Sequence, residues 1–303
     1  MASPQMPSSQ VFDRPLLRAR RARAAALGPA TFLIDRVAED LAERLAAVLR
    51  PFPLAVDLGT PTEALRNALA TSGKIGDIVA LDRAVVVPAS GRLQVVADEE
   101  ALPLRDGVAD LVVSGLALQF VNDLPGTLVQ VRRALKPDGL FIAALLGGET
   151  LTELRQALAE AEAEIEGGVS PRVAPFVDVH ELGNLLQRAG FALPVTDLDR
   201  VTVRYESVLG LMLDLRRMGA ANALIERRRS PLRRATLLRA GEIYLARFAD
   251  ADRRIRATFD IVWLSGWAPD PSQQQPLKPG SAQVRLADAL GSREISAGEK
   301  AGR

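Results

Sequence analysis

The chain has 303 residues, of which 48% are hydrophobic and 25% charged, and its formal net charge is +1. That length and composition suffice for one α/β core of enzyme size. Because the chain contains no cysteine and one histidine, disulfides, cysteine-ligated zinc, iron–sulfur clusters and thiol nucleophiles are excluded, and we expect no metal site. His180 lies in a segment with helical periodicity and is predicted to be an ordinary residue near the start of that helix.

The first fifty residues predict a basic segment followed by a helix. Residues 14–23 hold five arginines and no acidic residue, and apolar side chains then recur at helical spacing over residues 32–49. An arginine-rich opening is also typical of mitochondrial transit signals. No apolar run reaches the length of a membrane span. We predict a protein of the bacterial cytoplasm without a transmembrane segment, with the mitochondrial matrix as the alternative.

The middle of the chain alternates short apolar strands with helices, an order that predicts a parallel sheet. Strands are predicted at residues 54–58, 78–81, 95–97, 110–114 and 141–146. Helices are predicted from about residue 63 to 71 and in the segment that ends at Leu135. The sequence Lys136-Pro137-Asp138-Gly139 predicts a turn before the last of these strands, in which Gly139 supplies the permissive backbone.

The C-terminal half predicts two closing strands separated by a helical insertion. Apolar residues alternate over 194–205 and 258–264, and one of these two strands is expected to be antiparallel. Residues 207–255 between them predict a helical insertion that covers the site. A polar, proline-rich tail from residue 269 predicts a flexible segment with a short strand at 283–286.

Several motifs carry a family resemblance. VADEEALPL, DLVV and LKPDG before LFIAAL are similar to class I S-adenosylmethionine (SAM) methyltransferases. Together with VFDRPLLRARRARAA, FPLAVDLG, LQFVNDLP and GGETLTELR, they resemble the complex I assembly factors with a methyltransferase fold. That family is a sister of the malonyl-acyl-carrier-protein O-methyltransferases of biotin synthesis. The resemblance covers roughly residues 11–285 and implies a Rossmann-like α/β fold, with a seven-stranded sheet, helices on both faces and a methyltransferase-like domain over residues 51–268.

The resemblance also implies SAM as the cofactor, but its glycine loop departs from the family pattern. The pattern D-x-G-x-G-x-G falls on Asp57, Gly59, Pro61 and Glu63, so two of its three glycines are replaced. Pro61 has no N–H and Glu63 adds a negative charge near the expected methionine carboxylate, and both changes oppose SAM binding. The predicted cofactor-binding residues are Asp57, Leu58, Gly59, Thr60, Asp82, Asp98, Glu99 and Ser114.

Two of these acids are expected to read the cofactor directly. Asp82 would reach the ribose hydroxyls, and Asp98 would accept from the adenine amino group. Three of the acids among the predicted cofactor-binding residues also have a simpler interpretation. Asp82 is equally typical of a strand-end turn, Asp57 of a residue that caps the loop, and Glu99 of a solvated neighbour.

The insertion is rich in arginine. Between residues 216 and 239 it holds eight arginines and the single acid Glu226. This run predicts either a solvated face or a dock for an acidic protein surface, and it lacks the interleaved aromatic residues of a nucleic-acid site. The acidic face of the helix within residues 147–168 is predicted to be solvated. The predicted substrate or partner residues are Gln119, Arg227, Arg228 and Arg229.

Three functions remain open at this point. The first is a SAM-dependent enzyme that modifies a protein, which the resemblance implies to be a subunit of respiratory complex I modified on an arginine. The second is an assembly protein of the same fold that has lost SAM binding and catalysis. The third is the malonyl-acyl-carrier-protein O-methyltransferase itself. No spacing of acidic residues singles out a catalytic base.

Overall fold

The computed structural model describes residues 10–83, 93–274, 281, 284 and 286–293. Within these residues the strands form one seven-stranded sheet in the order β3-β2-β1-β4-β5-β7-β6. The strands are β1 (Phe52–Leu58), β2 (Ile75–Asp82), β3 (Leu93–Val96), β4 (Ala109–Gly115), β5 (Leu135–Leu146), β6 (Ala192–Tyr205) and β7 (Ile255–Trp267). The first five pair in parallel, whereas β7 runs antiparallel between β5 and β6. The predicted α/β fold is confirmed.

Helices cover both faces of this sheet. They are α1 (Arg14–Ala26), α2 (Phe32–Ala46), α3 (Ala64–Thr71), α4 (Leu124–Ala134), α5 (Thr152–Glu166), α6 (Val179–Arg188), α7 (Val208–Arg217), α8 (Arg234–Phe248) and α9 (Leu286–Leu290). The side chains of Asp13, Asp123, Asp178 and Ser207 each accept a backbone N–H at a helix start, which satisfies donors that the helix itself leaves unpaired.

The core divides among the helices that pack on the sheet. One apolar cluster joins α4 and α6 to one face, a second joins α2 and α3 to the other, and a third lies among α5, α7 and α8. The segment Leu140–Leu146 of β5 is buried throughout, as expected for a central strand covered on both sides. The helices α7 and α8 form the predicted insertion before β7. His180 is an exposed residue in the first turn of α6.

Two predictions about the local backbone structure are wrong. The predicted turn at 136–139 is instead the irregular start of β5, where the pairing with β4 shifts register between Ala109 and Leu111. Asp138, and not Gly139, takes the positive φ of 59°, and its N–H donates to the carbonyl of Ala268. Gly139 is needed for space, because a Cβ there would lie 2.8 Å from the carbonyl oxygen of Lys136.

The second failure concerns the C-terminal segment. Residues 283 and 285 lie outside the described part, but Leu286 begins the helix α9, so the predicted strand over 283–286 is wrong at its end. Most of the predicted flexible tail also lies outside the described residues. The sheet and α1 to α8 belong to the compact unit Met1–Pro269, and α9 belongs to the unit Asp270–Arg303. No described helix has both the length and the apolar character needed to cross a membrane.

The acidic face of α5, which the sequence predicts to be solvated, is solvated only in part, at residues such as Glu160 and Glu164. Glu153 and Glu162 are buried, and three further glutamates of this helix pair with arginines of the insertion. These pairs are Glu160 with Arg247, Glu164 with Arg239 and Glu166 with Arg228. The positive charge of the insertion is therefore balanced in part within the chain.

Candidate functional site

Asp57 organises the loop after β1. Its carboxylate is fully buried and accepts hydrogen bonds from the Thr60 hydroxyl and the Arg66 guanidinium. Burial raises the pKa of Asp57 to about 6, although Arg66 and Thr60 act in the opposite direction. Thr60 Oγ1 in turn accepts the N–H of Gly115 at 2.9 Å. Asp57 and Thr60 therefore fix the loop against β4 and α3 through side-chain contacts. Asp57 does not cap α3, whose N-cap residue is Glu63.

Gly59 has two reasons to be glycine. Its φ is +70°, and a Cβ at this position would lie 2.9 Å from Glu99 Oε1 and 3.2 Å from Ala117 Cβ. Its N–H donates to the carbonyl of Leu81 at 2.7 Å. A side chain would therefore be strained by the backbone and would meet Glu99. Gly59, the glycine of the family pattern that this loop keeps, therefore lies close to Glu99 in the segment after β3.

The acids after β3 differ in position from the prediction. The Glu99 side chain is 4% exposed, whereas that of Asp98 is 37% exposed. Asp98 pairs with Arg14 at 2.7 Å and with Arg83 at 3.3 Å, and it accepts the N–H of Glu100. Glu99, the residue with a possible solvated interpretation, is the acid that faces inward at the carboxyl edge of the parallel strands.

Two arginines of α1 meet Glu99. Arg14 contacts Asp98, Glu99 and Glu100. Arg21 lies 3.8 Å from Glu99 and donates to the carbonyl of Gly59 at 3.4 Å. The two arginines are seven residues apart and so project from one face of the helix. Burial lowers the pKa of Arg21, and the nearby Glu99 offsets part of that shift.

These residues enclose the α1 cavity, which is lined by Arg14, Arg21, Asp82 and Glu99 among others and has a volume of about 10 Å³. That volume holds about one water molecule. Asp82 at the end of β2 and Glu99 after β3 are carboxylates of the type that reads ribose and adenine, and they line the same space. These two carboxylates can accept hydrogen bonds from the ribose hydroxyls and the adenine amino group of SAM. A nucleoside can enter this cavity only if the arginines of α1 withdraw from it.

Leu58 and Ser114, two further predicted cofactor residues, are used inside the sheet. Leu58 is buried in the core, and the Ser114 hydroxyl donates to its carbonyl at 2.7 Å. Their side chains bind β1 to β4 beneath the loop. The structure therefore brings Gly59, Asp82 and Glu99 to the α1 cavity or its edge, while Asp57, Leu58, Thr60 and Ser114 support the loop from below.

A second cavity adjoins the altered glycine loop. This loop cavity has a volume of about 100 Å³ and is lined by Pro61, Thr62 and Gln119, with Arg21 and Arg217 as its charged residues. Gln119 Nε2 donates to the carbonyl of Leu116, while its Oε1 is buried and has no hydrogen-bond partner among the described residues. An acceptor left in this state is available to a donor on a ligand.

The three arginines of the insertion predicted to meet a partner have different surroundings. Arg227 pairs with Asp13 at 3.1 Å, and Arg228 contacts Glu166. Arg229 is exposed and forms no ion pair within the described part of the chain. These three arginines line one wide basic cleft together with Arg20, Arg172 and Arg216. The three predicted arginines therefore line one cleft, and Arg229 is the one of the three that forms no ion pair with a described residue.

Sequence reasoning missed three members of the site, namely Arg14, Arg21 and Arg66. The signal for Arg14 and Arg21 was their spacing of seven residues within a helical segment. That spacing places both on one face, but nothing in the sequence indicates which partner the face meets. Arg66 follows the loop by a few residues on the predicted helix, close enough to reach back to Asp57.

The chain is similar to known proteins over most of its length. The family model described as "Methyltransferase domain" matches residues 56–143. The mitochondrial arginine-hydroxylase NDUFAF5 of Danio rerio is 40% identical over 289 residues, covering 92% of this chain and 89% of the relative. The human protein of that name is 39% identical over 286 residues, covering 92% and 83%. The malonyl-[acyl-carrier protein] O-methyltransferase of Gallionella capsiferriformans (strain ES-2) is 34% identical over 282 residues, covering 86% and 93%.

Solved structures show the same fold at low sequence identity. A Bacillus halodurans C-125 protein described as a candidate methyltransferase has a TM-score of 0.52 at 15% identity, covering 76% of this chain and 98% of that one. The [4+2]-cyclase SpnF has a TM-score of 0.50 at 16% identity, covering 88% and 98%. Because one of these folds carries a cyclase, the fold by itself does not fix the reaction.

Proposed function

The chain belongs to the methyltransferase-fold family represented by the arginine-hydroxylases NDUFAF5, and we propose that it is a SAM-binding assembly factor that modifies an arginine of a respiratory complex I subunit. The observation that supports this proposal best is the similarity to NDUFAF5 over 92% of the chain. Those relatives are named arginine-hydroxylases, so arginine is the expected target residue. When bound, SAM would supply an activated methyl group. Methyl transfer does not hydroxylate an arginine, which needs an oxygen donor and an oxidant, so we propose modification of an arginine and not the hydroxylation step itself.

The site supports a nucleoside cofactor at the α1 cavity. Asp82 and Glu99 supply carboxylates for the ribose and adenine, and Gly59 lets the backbone approach closely. Arg21 now donates to the Gly59 carbonyl and lines this cavity, so it would move away from that position when the nucleoside enters. In this proposal Asp57 and Thr60 keep the loop in shape and do not touch the cofactor.

A second candidate function is a non-catalytic assembly protein. Two observations favour it. Pro61 and Glu63 replace loop glycines, and the arginines of α1 fill the space that a nucleoside requires. An assembly protein of this kind would keep the fold and the surfaces for its partner and would bind neither SAM nor its product.

Calorimetric titration with SAM and with S-adenosylhomocysteine distinguishes the two candidates. Binding in the micromolar range to wild-type protein, weakened in the variant Asp82→Asn, supports the enzyme. The matched control is Asp77→Asn, because Asp77 is an exposed acid on the same strand. Absence of binding to wild-type protein with a cooperative unfolding transition overturns the cofactor proposal and favours the assembly protein.

The biotin-pathway methyltransferase is the least supported function. Its relative is 34% identical, compared with 40% for the NDUFAF5 protein of Danio rerio. Expression of the chain in a biotin auxotroph that lacks the malonyl-carrier enzyme tests it directly. Growth without biotin would revive this function, whereas a folded protein that fails to restore growth excludes it.

The partner and the compartment are further parts of the proposal. The exposed Arg229 in the basic cleft suits an acidic surface, which in the family context would belong to a complex I subunit. The relatives named arginine-hydroxylase are mitochondrial, which is consistent with the mitochondrial-matrix alternative. The bacterial cytoplasm remains a prediction, and fractionation of cells that express the tagged chain tests both.

A further inference from the structure

An apolar chamber lies between α5, α7 and the loop that follows α5. Its volume is about 240 Å³. The apolar side chains that enclose it include Leu151, Leu154, Leu158, Phe176, Met212 and Phe259. No aspartate or glutamate is among the described residues that line it. A largely apolar cavity with a few polar side chains at its wall, here Arg172, Arg216 and Asn222, is typical of a small-molecule site.

The chamber adjoins two other spaces. Phe120 and Leu146 line both the chamber and the loop cavity. Arg172 and Arg216 line both the chamber and the basic cleft, which has a volume of about 640 Å³. A ligand in the chamber would therefore have one end near the charged surface and the other end near Phe120 and Leu146.

The mouth of the chamber carries one available cation. Arg172 is engaged by the buried Glu162, whose carboxylate also accepts from Ser170 and thereby anchors the loop that forms the chamber wall. Arg216 is exposed and forms no ion pair among the described residues. The cleft outside it contains six arginines and, as its one acid, Asp13. Burial lowers the pKa of Arg20 in this cleft, and the charge of Arg227 lowers it further, which shows how closely the cations are placed.

The lining decides what class of ligand fits. A peptide in the chamber would leave backbone N–H and C=O groups without partners, which is unfavourable in an apolar space. A guanidinium would find no carboxylate among the described lining residues. A hydrocarbon chain needs no polar partner, and its affinity increases with each methylene that it buries.

We propose that the chamber binds an aliphatic chain with a negatively charged end, the charge at Arg216 and the tail directed toward Phe120 and Leu146. This ligand is separate from the cofactor and from the protein substrate proposed above. The chamber is a binding site in its own right, and its occupation does not depend on SAM.

Calorimetric titration of the full chain with decanoate, in the absence of SAM, tests the proposal. Arg216→Glu is expected to weaken binding about tenfold, because it replaces a charge-assisted contact by repulsion. Leu154→Trp is expected to abolish binding by filling the chamber. Arg234→Glu is the matched control, since Arg234 is an exposed arginine of the same insertion that lines neither the chamber nor the cleft, and it should leave the affinity unchanged.

A second measurement covers the case in which Leu154→Trp does not fold. In methyl-labelled wild-type protein, decanoate should shift the resonances of Leu154 and Met212 and leave that of Leu49, which is 98% exposed, in place. The proposal is overturned if wild-type protein does not bind decanoate, if neither chamber variant changes the affinity, or if decyltrimethylammonium binds as tightly as decanoate. Because SAM is absent from these titrations, none of these outcomes bears on the proposed function.

Discussion

Arg14 and Glu99 form an ion pair that is buried on both sides, with side chains 9% and 4% exposed. Arg14 belongs to α1 near the start of the described chain, and Glu99 follows β3 at the carboxyl edge of the parallel strands. The pair therefore attaches the N-terminal helix to the edge where ligands of such sheets bind. Buried charges tolerate the loss of a partner poorly, because the remaining charge keeps its desolvation cost.

Replacing Arg14 by glutamine is expected to destabilise the protein by about 3 kcal/mol, because Glu99 would lose its closest cation inside the protein. Denaturant unfolding at neutral pH measures the change. The control is Arg18→Gln on the same helix, since Arg18 is exposed and has no ion pair among the described residues. Equal stabilities for the two variants would show that the pair does not hold α1 in place.

Asp57 makes stability depend on pH. Its pKa is raised from 3.8 to about 6, chiefly by burial, so the folded protein holds this proton more tightly than the unfolded chain does. The contribution of Asp57 to the free energy of unfolding should therefore decline as the pH rises from about 4 to 6, by up to ~3 kcal/mol at 1.36 kcal/mol per pH unit. Other carboxyls, such as Glu162, have lowered pKa values and add a contribution that rises with pH, so the difference between wild type and Asp57→Asn isolates Asp57. Denaturant titrations across this range measure that difference, with the exposed Asp77→Asn as control; a difference that does not change with pH would contradict the assignment.

The sheet was predictable because its signals are local. Strands such as β4 and β5 are short apolar runs bounded by turn residues, and their alternation with helices has few other solutions. The loop at Asp57 and Gly59 was also predictable from a local signal, because the family pattern places these two residues two positions apart where a strand ends in a turn.

The roles of side chains at that edge were less predictable because they depend on contacts between distant segments. Asp98 and Glu99 both contact Arg14, which lies 85 residues from Glu99 in sequence, and Glu99 is also near Arg21 of the same helix. The acidic face of α5 looked solvated because its arginine partners, such as Arg239, are 75 residues away. The residues around Asp138 predicted a turn because the irregular start of a strand with a register shift uses the same residue types as a turn.

Removing the charge of Glu63 should strengthen SAM binding. Glu63 directly precedes α3 and follows Pro61 and Thr62, which line the loop cavity. In Glu63→Gln the repulsion of an incoming carboxylate is lost, and the affinity should rise severalfold, corresponding to roughly 1 kcal/mol for partly solvated charges. Calorimetry measures it against Glu39→Gln, which removes the same charge at an exposed position of α2. An equal gain in both variants would point to net charge and not to the loop.

Reversing the charge of Arg229 should slow the association with acidic partners. Arg229, like Arg216, is an exposed arginine of the cleft that forms no ion pair with a described acid, whereas Arg227 and Arg228 are engaged by Asp13 and Glu166. With a short poly-glutamate peptide as the probe, stopped-flow measurements should give a severalfold lower association rate for Arg229→Glu and a weaker dependence on salt, because long-range attraction sets both quantities. Arg234→Glu changes the net charge equally outside the cleft and should have a smaller effect. If the two variants lose the same rate, the cleft contributes no more than any other basic surface of the insertion, and the partner must be held elsewhere.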